Sequence, residues 1–206
     1  MSFDVLKYNA LSVEPINIQS TNNCVIGLDR DGIINQIPSR GYVKTPNDLV
    51  IIPGALEAIK SIRDRGYQVS IISDQPQITK GNLTTFEVDA VNMKLMEIFG
   101  QAGIMSIQGL YYNTSEDKQD MYSKLNLGMF RRCESENPTV DFSKGYYVGD
   151  SLVDLKAAIK LKAKPVLIST GNGDATEVLL NKFTNQEIKK KARIYSSLLD
   201  FASDLP

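Results

Sequence analysis

The stretch of sequence that decides the fold is residues 24–32, CVIGLDRDG. Its first five residues are apolar or small and lack helical spacing, so they predict a short buried strand. The strand ends directly at Asp29, and Asp31 follows two residues later. An extended backbone places these two carboxylates on the same side, roughly 7 Å apart. The stretch therefore predicts a strand that delivers a pair of acids to one edge of a sheet.

Outward from this stretch, apolar runs alternate with segments of helical spacing. We predict helices over residues 55–65, 84–99, 151–162 and 197–202, and further strands over residues 67–72, 107–112, 145–149, 165–168 and 193–195. This alternation implies right-handed βαβ crossovers. The predicted fold class is α/β: a doubly wound, mostly parallel, Rossmann-like sheet with helices on both faces. Residues 113–143 fit least well, and we expect a loop there with one short helix.

Length and composition favour one medium-sized domain. The chain has 206 residues, of which 42% are hydrophobic and 23% charged, so it can bury a substantial core without metal or disulfide. Residues 1–22 are irregular and polar, and we predict that they form an N-terminal extension to a domain spanning 23–206. The sequence does not assign a role to this extension. We expect a monomer, although no sequence feature fixes the oligomeric state.

The charge balance and the two cysteines indicate which binding partners and which cellular compartment to expect. Twenty-three basic and 24 acidic residues give a formal net charge of −1, so nucleic acid and anionic membranes are not expected partners. The first residues lack the pattern of a signal peptide, and no apolar stretch is long enough to cross a bilayer. Cys24 and Cys133 do not form a disulfide framework, and we expect a reduced, cytoplasmic protein.

The chain contains no histidine. This excludes histidine acid–base catalysis, phosphohistidine intermediates and zinc sites with histidine ligands. Hydrolytic chemistry would have to use carboxylates, lysine, hydroxyls, cysteine or a hard metal ion.

Acidic and hydroxyl side chains follow three of the predicted strands. Asp29 and Asp31 follow the first, Ser73-Asp74 the second, and Asp150, with Asp154 four residues later, the strand at 145–149. Any one of these could be a turn former or a helix cap. Because ligands of an open parallel sheet bind outside the carboxyl ends of its strands, all of them together predict a functional site.

These residue types suit phosphoryl transfer. A carboxylate such as Asp29 can accept a phosphoryl group covalently, and Mg²⁺ held by Asp29 and Asp150 would offset its repulsion by the phosphate oxygens. A second acid, Asp31, can protonate the leaving oxygen and then activate water. For this role Asp31 must hold a proton near neutral pH, so we expect its surroundings to raise its pKa.

Residues 29–35, DRDGIIN, resemble the first motif of the haloacid dehalogenase superfamily. The form resembles the branch that holds heptose-1,7-bisphosphate and histidinol-phosphate phosphatases. Further matches follow in order over about residues 24–204: residues 41–43, 53–54, 128–129, 148–151 with Asp154, 169–171 and 197–200. The resemblance implies a phosphatase with an aspartyl-phosphate intermediate and little or no cap domain. Its expected substrate is a small phosphorylated metabolite, above all a sugar phosphate or bisphosphate.

The resemblance also implies individual roles. Asp29 would be the nucleophile, Asp31 the general acid/base, and Lys124 the cation that neutralises the transferring phosphate. Magnesium would be bound by Asp29, the backbone carbonyl of Asp31, and Asp150, with Asp154 orienting the site. The predicted phosphate- and substrate-binding residues are Ser73, Asp74, Asn35 and Lys80.

The chain departs from the family pattern at two places. Residues 73–77 read SDQPQ where the family usually has TNQSG, and residues 123–129 read SKLNLGM where it tends to have RKPxPGM. The arginine expected to hold a second phosphate is therefore replaced by Ser123. Residues 111–124 contain neither cysteine nor histidine, so no zinc is expected. Arg40, Lys44 and Lys80 are alternative binders of a substrate anion, or simply surface charges.

Other functions stay open at this point. Residues 24–30 fit the C-x5-R pattern of cysteine-dependent phosphatases, although the apolar run favours a core role for Cys24. A receiver-like acceptor would lack an acid at the position of Asp31. A nucleotide or polynucleotide 3′-phosphatase, and a member that binds phosphorylated ligands without cleaving them, are the remaining alternatives.

Overall fold

The computed structural model describes residues 5–6 and 24–206, and within them one seven-stranded sheet forms the centre of the molecule. The strands in spatial order are β1, β4, β3, β2, β5, β6 and β7. Strand β1 pairs antiparallel with β4, and all the other pairs are parallel. Their bounds are β1 Val5–Leu6, β2 Cys24–Leu28, β3 Gln68–Asp74, β4 Gly109–Asn113, β5 Asp141–Gly149, β6 Lys164–Ile168 and β7 Arg193–Tyr195.

Seven α-helices accompany the strands of the described chain. They are α1 Ala55–Asp64, α2 Thr85–Gln101, α3 Gly128–Glu136, α4 Leu152–Leu161, α5 Gly173–Leu180, α6 Gln186–Lys191 and α7 Leu198–Ser203. Two of them begin with a capping box: Thr84 with Glu87 at α2, and Ser151 with Asp154 at α4. Each box satisfies backbone N–H groups that have no partner within the first turn.

Strands β2 to β6 are mostly buried on both faces, and neighbouring residues of β2 enter different cores. Ile26 belongs to a large core with side chains from α1, α2 and α7, whereas Val25 belongs to a second core with side chains from α3 and α4. This alternation is the period-two geometry of an extended strand. The predicted fold class, a doubly wound and mostly parallel α/β sheet with helices on both faces, is confirmed.

Some element boundaries differ from the predictions. Within residues 113–143 there is a 3-10 helix, Lys124–Asn126, and then α3, whose nine residues bury Met129 and Phe130. Strand β5 begins at Asp141, because a register shift between Cys24 and Ile26 lets it pair further towards its N-terminus. Helices α5 and α6 were not predicted, and the sequence QEIKKK of α6 buries no residue that could have given an apolar period.

The segment between β2 and α1 contains one short 3-10 helix, Pro46–Asp48, in agreement with little or no cap. The predicted extension, residues 1–22, lies outside the described residues except for Val5–Leu6, so its boundary with a domain at residue 23 stays a prediction. In the described part of the chain, none of the helices has the length and hydropathy needed to cross a bilayer.

Candidate active site

The acidic residues meet because β2 lies between β3 and β5 in the sheet. All three strands run in the same direction, so their carboxyl ends lie at one edge. Asp29 follows β2 at the centre, Ser73 and Asp74 close β3 on one side, and Asp150 follows β5 on the other. The topology therefore brings together residues separated by up to 121 positions in the chain.

Asp29 is held rigidly in a buried position. Its backbone N–H donates to Val148 O at 2.9 Å, which extends the pairing of β2 with β5 by one residue. Its Oδ1 accepts from the backbone N–H of Arg30 at 2.7 Å, and its Oδ2 lies 2.8 Å from Lys124 Nζ. Burial raises the pKa of Asp29 well above its usual range; Lys124 opposes this, while the charges of Asp154 and Asp150 add to it.

Lys124 lies between two carboxylates. Its Nζ is 2.8 Å from Asp29 Oδ2 and 2.8 Å from Asp154 Oδ1, and the residue is only 4% exposed. Burial alone would lower its pKa, but Asp154 and Asp29 raise it well above the usual value. The ammonium therefore stays charged between these two carboxylates.

Asp29, Asp150 and Asp154 form a carboxylate cluster, whose ligand atoms all lie within 4.8 Å of one another. Both oxygens of Asp154 are already engaged, Oδ1 by Lys124 and Oδ2 by the backbone N–H of Ser151 at 3.1 Å. In Asp150, Oδ2 accepts from the backbone N–H and the side chain of Asn172 at 2.7 and 3.0 Å. Asp150 therefore keeps one oxygen without a donor among the described residues, whereas both oxygens of Asp29 and of Asp154 already accept from the protein.

The donors of this carboxylate cluster fit a hard divalent cation. Three buried carboxylates face one ammonium, and burial raises the pKa of Asp150 to about 6 despite its hydrogen bonds to Asn172. A cation with oxygen ligands, such as Mg²⁺, would relieve this uncompensated negative charge.

Two glycines, Gly32 and Gly171, allow the backbone to approach Asp150. Their φ angles are +83° and +57°, and a Cβ on either would collide with Asp150 Oδ2. Thr170 fixes this contact by donating its hydroxyl to Gly32 O at 2.5 Å. The backbone is thus closed around one oxygen of Asp150, which orients the carboxylate.

Asp31 lies in a separate polar network. It forms an ion pair with Arg30, whose Nη2 is 2.9 Å from Oδ2, and it accepts from Asn35 Nδ2 and Gln75 Nε2, each at 2.8 Å. Burial raises the pKa of Asp31, but Arg30 and these hydrogen bonds outweigh it and the net shift is downward. The expectation of a raised pKa is therefore wrong for this arrangement, because Arg30 turns its guanidinium onto the carboxylate.

The other predicted binding residues are divided between the site and the surface. Ser73 is buried, and its Oγ accepts from Gln75 Nε2 at 2.8 Å, so one amide joins it to Asp31. Burial raises the pKa of Asp74, which accepts from Asn113 Nδ2 at 3.3 Å. Asn35 is fully buried and donates to Asp31.

The three alternative anion binders carry exposed side chains in ion pairs. Lys80 is 3.8 Å from Glu116, Lys44 is 3.6 Å from Glu87, and Arg40 contacts Asp48. No contact found in the described chain joins them to the carboxylate cluster. Cys24 is half-buried at the first position of β2, where its thiol donates to Lys144 O at 3.3 Å, which fits a packing role.

Sequence reasoning missed four site residues: Arg30, Gln75, Asn172 and Asn92. The first three lie inside or beside recognised motifs, so motif reading alone could have flagged them. Asn92 carries a different signal, because it is a polar residue on the apolar face of α2 with Val88 and Leu95. Its Oδ1 accepts from Arg30 Nη1 at 2.7 Å.

Known proteins to which the chain is similar are phosphatases. The family profile described as "Polynucleotide kinase 3 phosphatase" matches residues 25–164. The D-glycero-beta-D-manno-heptose-1,7-bisphosphate 7-phosphatase of Pseudomonas aeruginosa is 34% identical over 149 residues, covering 72% of this chain and 83% of that protein. The enzyme of the same name from Neisseria meningitidis serogroup B is 28% identical over 187 residues, covering 86% and 92%.

Among solved structures, the chain is similar to D,D-heptose 1,7-bisphosphate phosphatase from B. bronchiseptica complexed with magnesium and phosphate. The TM-score is 0.76 at 28% identity, and the match covers 87% of this chain and 96% of that one. The fold and the site define a phosphatase of the haloacid dehalogenase superfamily, as the motifs predicted. Within that class, the chain belongs to the polynucleotide kinase 3 phosphatase family.

Proposed function

We propose that this phosphatase is a magnesium-dependent phosphomonoesterase that cleaves a small phosphorylated sugar through a phosphoryl group held on Asp29. The observation that carries the proposal is the environment of that carboxylate. It is buried 2.8 Å from the Lys124 ammonium, within 4.8 Å of Asp150, and two residues before a second carboxylate in a different network. The names of the similar enzymes support a sugar phosphate or bisphosphate as substrate.

In the first half-reaction, an oxygen of Asp29 attacks phosphorus and the bond to the ester oxygen breaks. Protonated Asp31 gives its proton to that leaving oxygen, which departs as an alcohol. Lys124 lies 2.8 Å from the nucleophile and balances the charge of the phosphoryl oxygens. Asp29, Asp150 and the backbone carbonyl of Asp31 would hold Mg²⁺, which when bound supplies further neutralisation of these oxygens.

In the second half-reaction, Asp31 acts as a base. Its carboxylate takes a proton from water while the water oxygen attacks phosphorus, which releases inorganic phosphate and restores Asp29. The lowered pKa of Asp31 suits this step, because the group is a carboxylate when water has to be activated. Contact of the leaving oxygen with Asp31 would have to favour its protonated form in the first step.

We assign the supporting residues from their contacts. The buried Ser73 hydroxyl would bind the phosphate, and Asn35, which donates to Asp31, would orient that carboxylate rather than contact the sugar. Asp74 would help shape the same edge, and Asp154 would hold Lys124. Lys80 would act only at the rim, because it is exposed and paired with Glu116.

A nucleotide 3′-phosphate is a second candidate substrate, and the name of the matching family favours it. The near-zero net charge gives no general attraction to a polynucleotide, so the sugar phosphate comes first. The absence of zinc, the monomeric state and the cytoplasmic location are proposed from the sequence alone.

The test is phosphate release from a panel of sugar phosphates, sugar bisphosphates, histidinol phosphate and 3′-phosphorylated nucleotides. We expect release with Mg²⁺, none with chelator, and a loss of at least about 10³-fold in Asp29→Asn. Asp64→Asn is the control, because Asp64 is exposed and pairs only with Lys60 on the surface of α1.

The pattern across the panel identifies the substrate class, and preference for 3′-nucleotides would replace the sugar phosphate. If the wild-type protein releases no phosphate from any compound but binds one of them, the protein is a binding module and the proposed catalysis is wrong. Activity that resists chelator would contradict the role of magnesium.

A further inference from the structure

The buried arginine next to the nucleophile joins the active site to helix α2. Arg30 is 1% exposed. Its Nη1 donates to Asn92 Oδ1 at 2.7 Å, while its Nη2 and Nε face Asp31 at 2.9 to 3.3 Å. One planar guanidinium thus bridges two side chains that are 61 positions apart in the chain.

We propose that Asn92 is a positioning residue for the acid/base carboxylate of Asp31, acting through Arg30. The inference rests on the proposed function, since Asp31 needs a fixed orientation only if it exchanges protons with the leaving group and water. A guanidinium presents its donors in a rigid fork, so fixing Nη1 also fixes the direction of Nη2 and Nε. Asn92 therefore determines which donor atoms of the Arg30 guanidinium face Asp31.

The surroundings of Asn92 show that its acceptor oxygen is the useful atom. Asn92 is fully buried on the face of α2 that carries Val88, Val91 and Leu95. Its Nδ2 has no hydrogen-bond partner in the described part of the chain. A buried amide with one unpaired group costs stability at a position where an apolar side chain would pack. The hydrogen bond that Arg30 donates to Asn92 Oδ1 is the interaction that offsets this cost.

Asn92 also adds something that the loop contacts of Asp31 do not. Asn35 and Gln75 hold the two carboxylate oxygens from segments that follow β2 and β3. Asn92 lies in the middle of the 17-residue helix α2, which packs in the large core. Through Arg30 it connects the carboxylate of Asp31 to this helix. Supporting contacts of this kind hold a catalytic group within the narrow range of geometry that proton transfer requires.

The test compares two phosphate esters that differ in their need for proton donation. p-Nitrophenyl phosphate has a stable leaving anion, whereas phenyl phosphate releases a phenol with a pKa of about 10, which gains more from protonation. In Asn92→Leu we expect kcat/KM to fall about tenfold or more on phenyl phosphate and less than about threefold on p-nitrophenyl phosphate. Asn92→Asp keeps an acceptor for Arg30 and should stay within about threefold of wild type on both esters.

Leu95→Ala is the matched control for damage to the helix. It empties a fully buried position one turn from Asn92 without touching Arg30, so it should lower the Tm and change both esters by the same factor. Equal losses on both esters in Asn92→Leu, or no recovery in Asn92→Asp, would overturn the positioning role.

Failure of the proposed function would look different. In that case wild-type protein would hydrolyse neither ester, and the Asn92 role would fail with it. Active wild-type protein whose ester selectivity is unchanged in Asn92→Leu would overturn the Asn92 role alone.

Discussion

Asp29 and Asp31 are two residues apart in sequence, yet the fold places them in opposite electrostatic surroundings. Asp29 joins the carboxylate cluster, where burial and two further acids raise its pKa. Asp31 joins a network of donors around Arg30, where its pKa falls despite burial. Different charged partners allow one active site to give two carboxyl groups separate tasks, and the Lys124 ammonium favours the ionised form of Asp29 that the proposed attack on phosphorus requires.

The difference comes from the neighbouring strands and helices. The carboxylate cluster is completed by the end of β5 and by α4, which supply Asp150 and Asp154, and the cation that pairs with it among the described residues is Lys124. The network around Asp31 is completed by the end of β3 and by α2, which supply Gln75 and Asn92. The segment after the central strand β2 therefore contributes one acid to the carboxylate cluster and one to the network around Asp31. Each of these two groups of residues can be altered separately.

Loss of the Asp31 carboxylate should reduce turnover strongly. Asp31→Asn removes the proton donor and base but keeps an acceptor for Arg30, so turnover of phenyl phosphate should fall by about 10²- to 10⁴-fold. The loss in kcat/KM on p-nitrophenyl phosphate should be smaller, because this ratio reports the first half-reaction, whereas kcat should fall on both esters because they share the hydrolysis step. Asp29→Asn should abolish turnover of both. Steady-state kinetics on the two esters would check this. Unchanged turnover in Asp31→Asn would show that the two carboxylates do not have separate tasks.

On the Asp29 side, Lys124→Met removes the only cation seen between Asp29 and Asp154. It would leave two buried carboxylates facing each other, so we expect a loss of about 3–5 kcal/mol in the free energy of unfolding and at least about 10²-fold in kcat. Urea denaturation and phosphate release would measure both. Lys190→Met is the control, since Lys190 forms an exposed pair with Glu187 and should change stability by less than about 1 kcal/mol.

The raised pKa of Asp150 predicts how stability depends on pH. The folded protein holds the proton of Asp150 more tightly than the unfolded chain does. Its contribution to the free energy of unfolding is therefore fully present below the ordinary pKa of 3.8 and is lost as the pH rises through about 6. The loss should reach about 3 kcal/mol in chelator. Denaturation at a series of pH values would measure it. The free energy of unfolding should depend less steeply on pH in Asp150→Asn and with saturating Mg²⁺. An unchanged pH dependence in Asp150→Asn would contradict the assignment of the effect to Asp150.

The smallest effects are expected at Ser73, which lies beside the Asp31 network. Ser73 shares Gln75 with Asp31 and would bind phosphate, so Ser73→Ala should raise KM about tenfold, equivalent to about 1.4 kcal/mol. Lys80→Ala should change KM less than about twofold, because its partner Glu116 is as exposed as Lys80. Equal effects of the two substitutions would place the phosphate site nearer the rim.

Much of the fold could be predicted because local patterns are strong there. The apolar run before Asp29 and the helical spacing of Val88, Val91 and Leu95 depend only on neighbours in sequence. Helix α6 and the early start of β5 could not be predicted, because the first buries no apolar stripe and the second depends on pairing with β2. Among the missed site residues, Asn92 follows the same rule, because its role depends on Arg30 and no local pattern joins the two.

By itself the sequence determined that this is an α/β phosphatase with its acids at strand ends, because strand period, helix period and a short motif are local properties. The tertiary structure decided which acid meets which cation. It set Lys124 against Asp29 and Asp154, and Arg30 against Asp31, and so reversed the expected pKa shift of Asp31. The physical reason is that burial and charge act through distance in space, and these distances exist only after β2, β3 and β5 have paired.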